Sequence, residues 1–280
     1  MSETQHTNLS GISETLLITL YLRAQESQRA DALLQDEQAV AVVNKLRAQG
    51  EYAFSRIDAL HLSEMNKLVI ILRCREFDRD TRAFLARHPN AVVVHIGCGL
   101  DTRFERTDNG QVEWYDLDLP EVIELRRQFI GGERARYHLL GCSALENIWL
   151  DAVRAQKPRP FLFLAEGVFM YFYQAQVKAL VLTLRENFPG AELIFDAYSP
   201  THVWRQNLQM SKSKIKMQTH WGIWRGQALE RWADGIRLLD EWGYFDTNEP
   251  RLAPIRPLRV IETLARTFRI YHFRLGNVSA

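Results

Sequence analysis

Ala91-Val92-Val93-Val94-His95-Ile96-Gly97-Cys98-Gly99-Leu100-Asp101-Thr102 is the point at which one kind of sequence gives way to another. Its first half is a short, β-branched apolar run bounded by Asn90 and Gly97. A strand with one wet face would alternate; a nearly continuous apolar run is the pattern of a strand buried on both faces. Its second half opens on two glycines, which lack a Cβ and so let the backbone turn tightly and approach a ligand closely. The third glycine of a dinucleotide-binding loop would fall at position 102, where Thr102 stands. This shortened form suits an adenosyl ligand without a pyrophosphate to cradle. The competing reading is a purely structural strand-to-helix turn.

Upstream of that run the chain reads as helix. Thr15 to Arg29 and Asp36 to Arg47 carry apolar residues at three- and four-residue spacing, and a third stretch from Ser63 to Arg87 is stopped by Pro89-Asn90. Downstream, strand-like runs recur at Val112 to Leu117, Arg136 to Leu140, Phe161 to Ala165 and Leu193 to Ala197. Helical segments intervene at Pro120 to Phe129, Leu145 to Ala155 and Ala175 to Asn187. Such alternation predicts a mostly parallel sheet with helices on both faces. Gly235 to Phe245 and Arg269 to Leu275 read as a final strand pair flanking a helix around Leu258 to Thr267. The expected division is an N-terminal helical extension over 1–88 and an α/β core over 89–280. A segment at 199–232 is expected to cover the substrate. In this architecture ligands gather beyond the carboxyl ends of the strands, where the strand order reverses.

The bulk numbers exclude several classes. Among 280 residues, 46% are hydrophobic and 25% charged, and 35 Lys and Arg against 34 Asp and Glu leave a formal charge of +1. No electrostatic case exists for nucleic acid or an anionic membrane. The basic run Lys212-Ser213-Lys214-Ile215-Lys216 reads as a solvated face. The apolar stretches are too short to span a bilayer, and Met1 to Ser10 has no secretory pattern. Cys74, Cys98 and Cys142 show neither metal spacing nor a disulfide framework. The expectation is a reduced cytoplasmic protein that holds no metal.

Three carboxylates sit where ligand chemistry belongs. The second strand ends Trp114-Tyr115-Asp116-Leu117-Asp118-Leu119-Pro120. An acid at that strand end, about 20 residues after the glycines, can accept from both hydroxyls of a ribose. Asp118, nearer the tip, is the candidate; Asp116 is read as supporting a loop. Glu166 leaves the apolar run Phe161 to Ala165, and a carboxylate there is costly unless it is paired with a cation.

Together these stretches resemble the leucine carboxyl methyltransferase family, which includes the tetracenomycin-type polyketide O-methyltransferases. The matching pieces, in order, are Gly11-Ile-Ser-Glu-Thr-Leu-Leu, Ile96-Gly-Cys-Gly-Leu-Asp-Thr-Arg, Trp114 to Glu124 with the run Asp-Leu-Pro-Glu-Val-Ile-Glu-Leu-Arg-Arg from Asp118, Leu164-Ala-Glu-Gly-Val-Phe-Met-Tyr, and Trp221 to Phe245. The resemblance implies a class I, Rossmann-like methyltransferase with a seven-stranded sheet, whose N-terminal helices cover S-adenosylmethionine and whose product is S-adenosylhomocysteine. It implies that Arg73 pairs with the methionyl carboxylate, that Gly97 and Gly99 are the motif glycines, that Asp118 holds the ribose, and that Glu166 lies near the methionyl amino group. Where the family often has Asp-Leu after the third strand, this chain has Gly141-Cys142-Ser143-Ala144. Ser143, shorter and uncharged, stands at the adenine-binding place.

Methyl transfer from a sulfonium needs alignment and dryness more than acid or base. A carboxylate acceptor is already ionised at neutral pH, whereas a phenol or enol profits from a base. His202 and His220 are the candidates for that base. Tyr198, Trp204 and Trp221, with Trp224, Met210 and Met217, suit either a pocket for a flat apolar acceptor or the packing of a covering helix. Arg103 and Arg106 read as solvated surface groups rather than a site for an acidic substrate. The leading reading is an O-methyltransferase acting on a small molecule. A protein C-terminal carboxyl methyltransferase, a nicotinamide-dependent oxidoreductase and a non-catalytic ligand-binding relative are the alternatives.

Overall fold

The computed structural model describes residues 14–48, 54–58, 62–210 and 218–277. The basic run from Lys212 to Lys216, Met217, the side chain of Met210 and the start of the Gly11 stretch lie outside the described residues, as does part of the 199–232 segment. The chain runs α1 (Glu14–Ser27), α2 (Glu37–Ala48), a short α3 (Ser55–Asp58), α4 (Glu64–Arg87), β1 (Val92–Ile96), α5 (Arg103–Thr107), β2 (Glu113–Asp118), α6 (Pro120–Phe129), β3 (Tyr137–Gly141), α7 (Leu150–Arg154), β4 (Phe161–Ala165), α8 (Gln174–Asn187), β5 (Ala191–Tyr198), α9 (Pro200–Met210), α10 (Gln227–Glu230), β6 (Arg237–Trp242), α11 (Glu262–Ala265) and β7 (Phe268–Leu275).

The seven strands lie in the order β3-β2-β1-β4-β5-β7-β6. β1 to β5 are parallel, and β7 runs antiparallel to both β5 and β6. The order grows one way from β1 through β3 and the other way from β4. The reversal therefore falls between β1 and β4, and a crevice opens at their carboxyl ends. Sequence chemistry explains the local stops. Ser63 caps α4 by accepting from the Asn66 N–H at 3.2 Å. Pro120 begins α6, where its missing N–H has no intrahelical use.

Core side chains fill both faces of the sheet. Val94, Phe163 and Phe195 join Val177 and Val181 of α8 on one side. Val93, Trp114 and Leu164 join Phe77 and Phe84 of α4 on the other. A third cluster sets Leu17 and Leu20 of α1 and Val42 and Val43 of α2 against Leu100 and Leu125. The two N-terminal helices thereby roof the glycine loop.

Phe161–Ala165 and Pro120–Phe129 match the expected spans end to end, and β1, β2 and β3 fall within a residue. The end of the chain differs. The helix expected around Leu258 to Thr267 is a 3₁₀ helix, Pro250–Val260, followed by the single turn α11. Pro254 and Pro257 inside it lack the N–H that an α-helix requires, which leaves the tighter helix. The expected Leu145 to Ala155 helix shortens to α7. The strand expected to Phe245 stops at Trp242, because Tyr244–Asp246 forms a 3₁₀ turn. Among the described residues, no helix is long and apolar enough to cross a membrane, and no group of three or more His, Cys, Asp or Glu stands where it could hold a metal ion.

Candidate active site

A cavity of about 1020 Å³ opens at the β1/β4 reversal, roofed by α1 and α4. Drug-sized ligand sites occupy roughly 300–1,000 Å³, so this one has room for a nucleoside and a second molecule. Arg73, Gly97, Gly99, Asp118, Ser143 and Glu166 all line it. The structure thus brings together every residue expected at the cofactor.

The glycine loop leaves no room for side chains. Gly97 has φ +64°, and a Cβ there would lie 2.3 Å from Val168 Cγ2. Gly99 has φ +52°, and its Cβ would lie 2.8 Å from Leu16 Cδ2 in the roof. The left-handed backbone calls for glycine at both positions, and the crowding by Val168 adds a steric reason at Gly97, whereas the tip of Leu16 can give way at Gly99. The loop is held from two sides. Asp118 Oδ2 accepts from the Gly99 N–H at 2.7 Å and Oδ1 from the Leu119 N–H at 2.8 Å. Burial pushes the Asp118 carboxyl above the usual range, and those two amides pull it back only in part. From below, Arg126 donates to the carbonyls of Gly99 (2.7 Å) and Asp101 (2.8 Å), and is itself anchored by Asp116. Asp116 also accepts from the Tyr137 hydroxyl at 2.6 Å and the Trp114 indole at 2.8 Å. Asp116 supports the loop at one remove.

Glu166, at the tip of β4, is gripped by two guanidinium groups. Arg73 Nε donates to Oε1 at 2.9 Å and Arg103 Nη2 to Oε2 at 2.5 Å. Burial alone would raise its pKa, but Arg103 and Arg73 together hold it at about 2. Arg73 also lies 3.4 Å from Asp196, whose Oδ1 accepts from the Gly167 N–H. Ser143 is partly exposed, its Oγ accepting from the Leu145 N–H at 3.2 Å.

Arg103 and Arg106, expected in solvent, are instead buried, their side chains 0% and 4% exposed. Asp36 follows α1, Asp78 comes from α4, and Asp101 from the glycine loop. Arg103 bonds Asp78 at 2.8 Å and approaches Asp101 to 3.1 Å. Arg106 bonds Asp78 at 2.7 Å, Asp36 at 2.8 Å and Asp101 at 2.9 Å. Arg23 closes the series on Asp36 at 2.8 Å and on the Leu100 carbonyl at 2.8 Å. A buried charge is tolerated only with such counter-charges. Burial would raise the pKa of Asp101, but Arg103, Arg106 and Arg23 take it well below the usual range. Sequence reasoning missed this ladder because its rungs come from four segments; only the Asp-Thr-Arg after the glycines hinted at it.

The far end of the cavity is aromatic. Tyr198 lies face to face with His202 at 4.5 Å and edge to face with Phe268 at 5.4 Å, and Phe268 stacks on Tyr244 at 4.7 Å. All four line the cavity. Burial pushes the Tyr198 hydroxyl up to about 12. Burial, and then Arg205, lowers the pKa of His202, so its imidazole is neutral at pH 7. The other residues expected here lie elsewhere. Trp204 is 66% exposed, since on α9 it points away from the face that carries His202. Trp221 is buried in the core between Phe169 and Phe195, and Trp224 is partly exposed. His220 stacks on Tyr173 outside the cavity, with its backbone N–H bonded to the Met170 carbonyl. Tyr244, which the sequence did not single out, takes the place in the wall expected for the tryptophans.

Comparison with known proteins gives a consistent result. The leucine carboxyl methyltransferase family model matches residues 16–185. Over 256 residues the chain is 35% identical to the tetracenomycin polyketide synthesis O-methyltransferase TcmP of Streptomyces glaucescens, covering 89% of this chain and 88% of that one. It is 32% identical over 244 residues to the S-adenosyl-L-methionine-dependent methyltransferase dpfgK of Gibberella zeae, covering 82% and 81%. A crystal structure of a candidate methyltransferase from Thermobifida fusca YX is similar with a TM-score of 0.56 at 14% identity, covering 91% and 94%; this likeness concerns the fold alone. By the extent of the family match and the identity along most of its length, the chain belongs to the leucine carboxyl methyltransferase family.

Proposed function

We propose that the protein transfers a methyl group from S-adenosylmethionine to an oxygen of a small-molecule acceptor, and that it does so in the cytoplasm. The convergence of Arg73, Gly97, Gly99, Asp118, Ser143 and Glu166 on one cavity carries this reading. The names of the two relatives, one an O-methyltransferase of polyketide synthesis, support it.

The residues present fit the nucleoside. The Asp118 carboxylate has lone pairs left for ribose hydroxyls after accepting two amides. The glycine backbone admits close approach, and Ser143 with its neighbouring backbone offers polar contact to the adenine. Glu166 and Asp101 present negative charge to the methionyl ammonium, and Arg73 presents positive charge to the carboxylate. When bound, S-adenosylmethionine supplies a methyl group on a cationic sulfur that leaves as a neutral thioether. The chain's own task is to hold both reactants in line and exclude water, and positioning alone supplies several kcal/mol.

Thermal shift separates this reading from its rivals. S-adenosylmethionine and S-adenosylhomocysteine, each at about 100 times its dissociation constant, are expected to stabilise the protein by roughly 2.7 kcal/mol, and NAD and NADP not at all. A response to the nicotinamide cofactors alone would sink the proposal. Competition by a peptide ending in a free carboxylate would shift it to a protein acceptor.

The neutral imidazole of His202, facing the aromatic end, is placed to take the proton of a phenol or enol. A base works deprotonated, so the rate should climb with pH through a His202 pKa lowered by burial below the ordinary imidazole value, and level off as the imidazole becomes fully neutral. His202→Gln should erase that limb and lower kcat about 10²- to 10⁴-fold. An unchanged profile would remove the base and favour a carboxylate acceptor.

A further inference from the structure

Gln206 lies on α9, one turn beyond His202, and lines the same cavity. Its Oε1 is shut off from solvent and, among the described residues, accepts no hydrogen bond. The next amide along the helix is satisfied: Asn207 Oδ1 accepts from the backbone N–H and the hydroxyl of Thr219, at 3.0 and 3.1 Å, and its amide donates to the Thr219 carbonyl at 2.6 Å. Folded proteins rarely leave a buried acceptor without a donor, and one that lines a cavity can take its donor from a bound molecule.

We propose that Gln206 determines acceptor specificity, its Oε1 accepting a hydrogen bond from a second donor on the methyl acceptor, a hydroxyl or N–H separate from the oxygen that is methylated. The spacing follows from the helix. His202 and Gln206 are four residues apart on one face, so they address points about 6 Å apart along the acceptor. Tyr198, Tyr244 and Phe268 supply flat apolar walls beside them. The acceptor class is therefore a planar molecule with at least two polar hydrogens at separated positions, and a monophenol is a poor ligand. A site built around a hydrogen bond to a ligand rejects the analogue that lacks the donor, because the buried partner is then left bare. The inference rests on the methyltransferase reading, since only that reading puts an acceptor at this end.

The test is calorimetric titration of the full chain saturated with S-adenosylhomocysteine, using a set of dihydroxynaphthalenes and the two mononaphthols. At least one dihydroxy compound is expected to bind about tenfold or more tightly than either mononaphthol. In Gln206→Leu that preference should collapse to within about threefold, while Gln206→Glu, which keeps an acceptor oxygen, should retain it. The affinity for S-adenosylhomocysteine reports that each variant is folded. An equal preference in wild type and Gln206→Leu overturns the assignment, as does failure of every naphthol to bind a protein that holds S-adenosylhomocysteine. Failure to hold S-adenosylhomocysteine would instead bring down the methyltransferase reading, and this inference with it.

Discussion

A Glu166→Ala chain is expected to lose its thermal response to S-adenosylmethionine and about 3 kcal/mol of folding stability. The first loss follows from the role proposed for this carboxylate, opposite the methionyl ammonium. The second follows from what the carboxylate already does: it accepts from both Arg73 and Arg103, and removing one partner of a buried pair costs roughly 3–5 kcal/mol. The lower figure applies because Arg73 keeps Asp196 and Arg103 keeps Asp78 and Asp101. The melting temperature should fall by roughly 5 °C. Glu166→Gln, which keeps the shape but not the charge, should fall between the two. A Glu166→Ala protein that melts and binds like wild type would show that the arginines do not depend on this acid, and the charge assignment at the methionyl end would go.

Asp118→Ala is expected to weaken S-adenosylmethionine binding by at least about 100-fold. Hydrogen bonds to a charged group are worth about 1.5–3 kcal/mol each, and two to a ribose would amount to roughly 3–6 kcal/mol. The substitution also frees the Gly99 and Leu119 N–H groups that Asp118 holds, so the loop itself loosens. Asp118→Asn retains one acceptor oxygen and should recover part of the affinity. Isothermal titration of the three proteins checks this; equal dissociation constants would mean that the ribose lies elsewhere.

The parallel sheet was legible because burial on both faces leaves a local mark. Val92 to Ile96 and Phe161 to Ala165 are apolar without alternation, and each is flanked by a turn residue. The gathering of Gly97, Gly99, Asp118 and Glu166 at one cavity was legible for a related reason: glycines and acids at strand tips sit at fixed offsets along the chain. Pairing between distant segments leaves no such mark. Arg103 and Arg106 look like surface residues in sequence because Asp36 and Asp78 lie far from them along the chain. Trp221 carries no sign of whether it faces the cavity or the core, since both are apolar. Gln206 was invisible because its distinction is a missing partner, which exists only in three dimensions. At the far end, Pro254 and Pro257 were in plain view, and the chemistry of proline outweighs the spacing of apolar residues there.

The ladder of alternating charges does not respect the compositional divide at residue 88. Severing the chain there would take away Arg23, Asp36, Arg73 and Asp78, leaving Arg106 without two of its three acids and Arg103 without one of its three in an otherwise greasy interior. The N-terminal helices are thus welded to the α/β half and are no interchangeable module. A chimaera that borrows its cap from a cousin must import acids at the positions of Asp36 and Asp78, whatever else it changes.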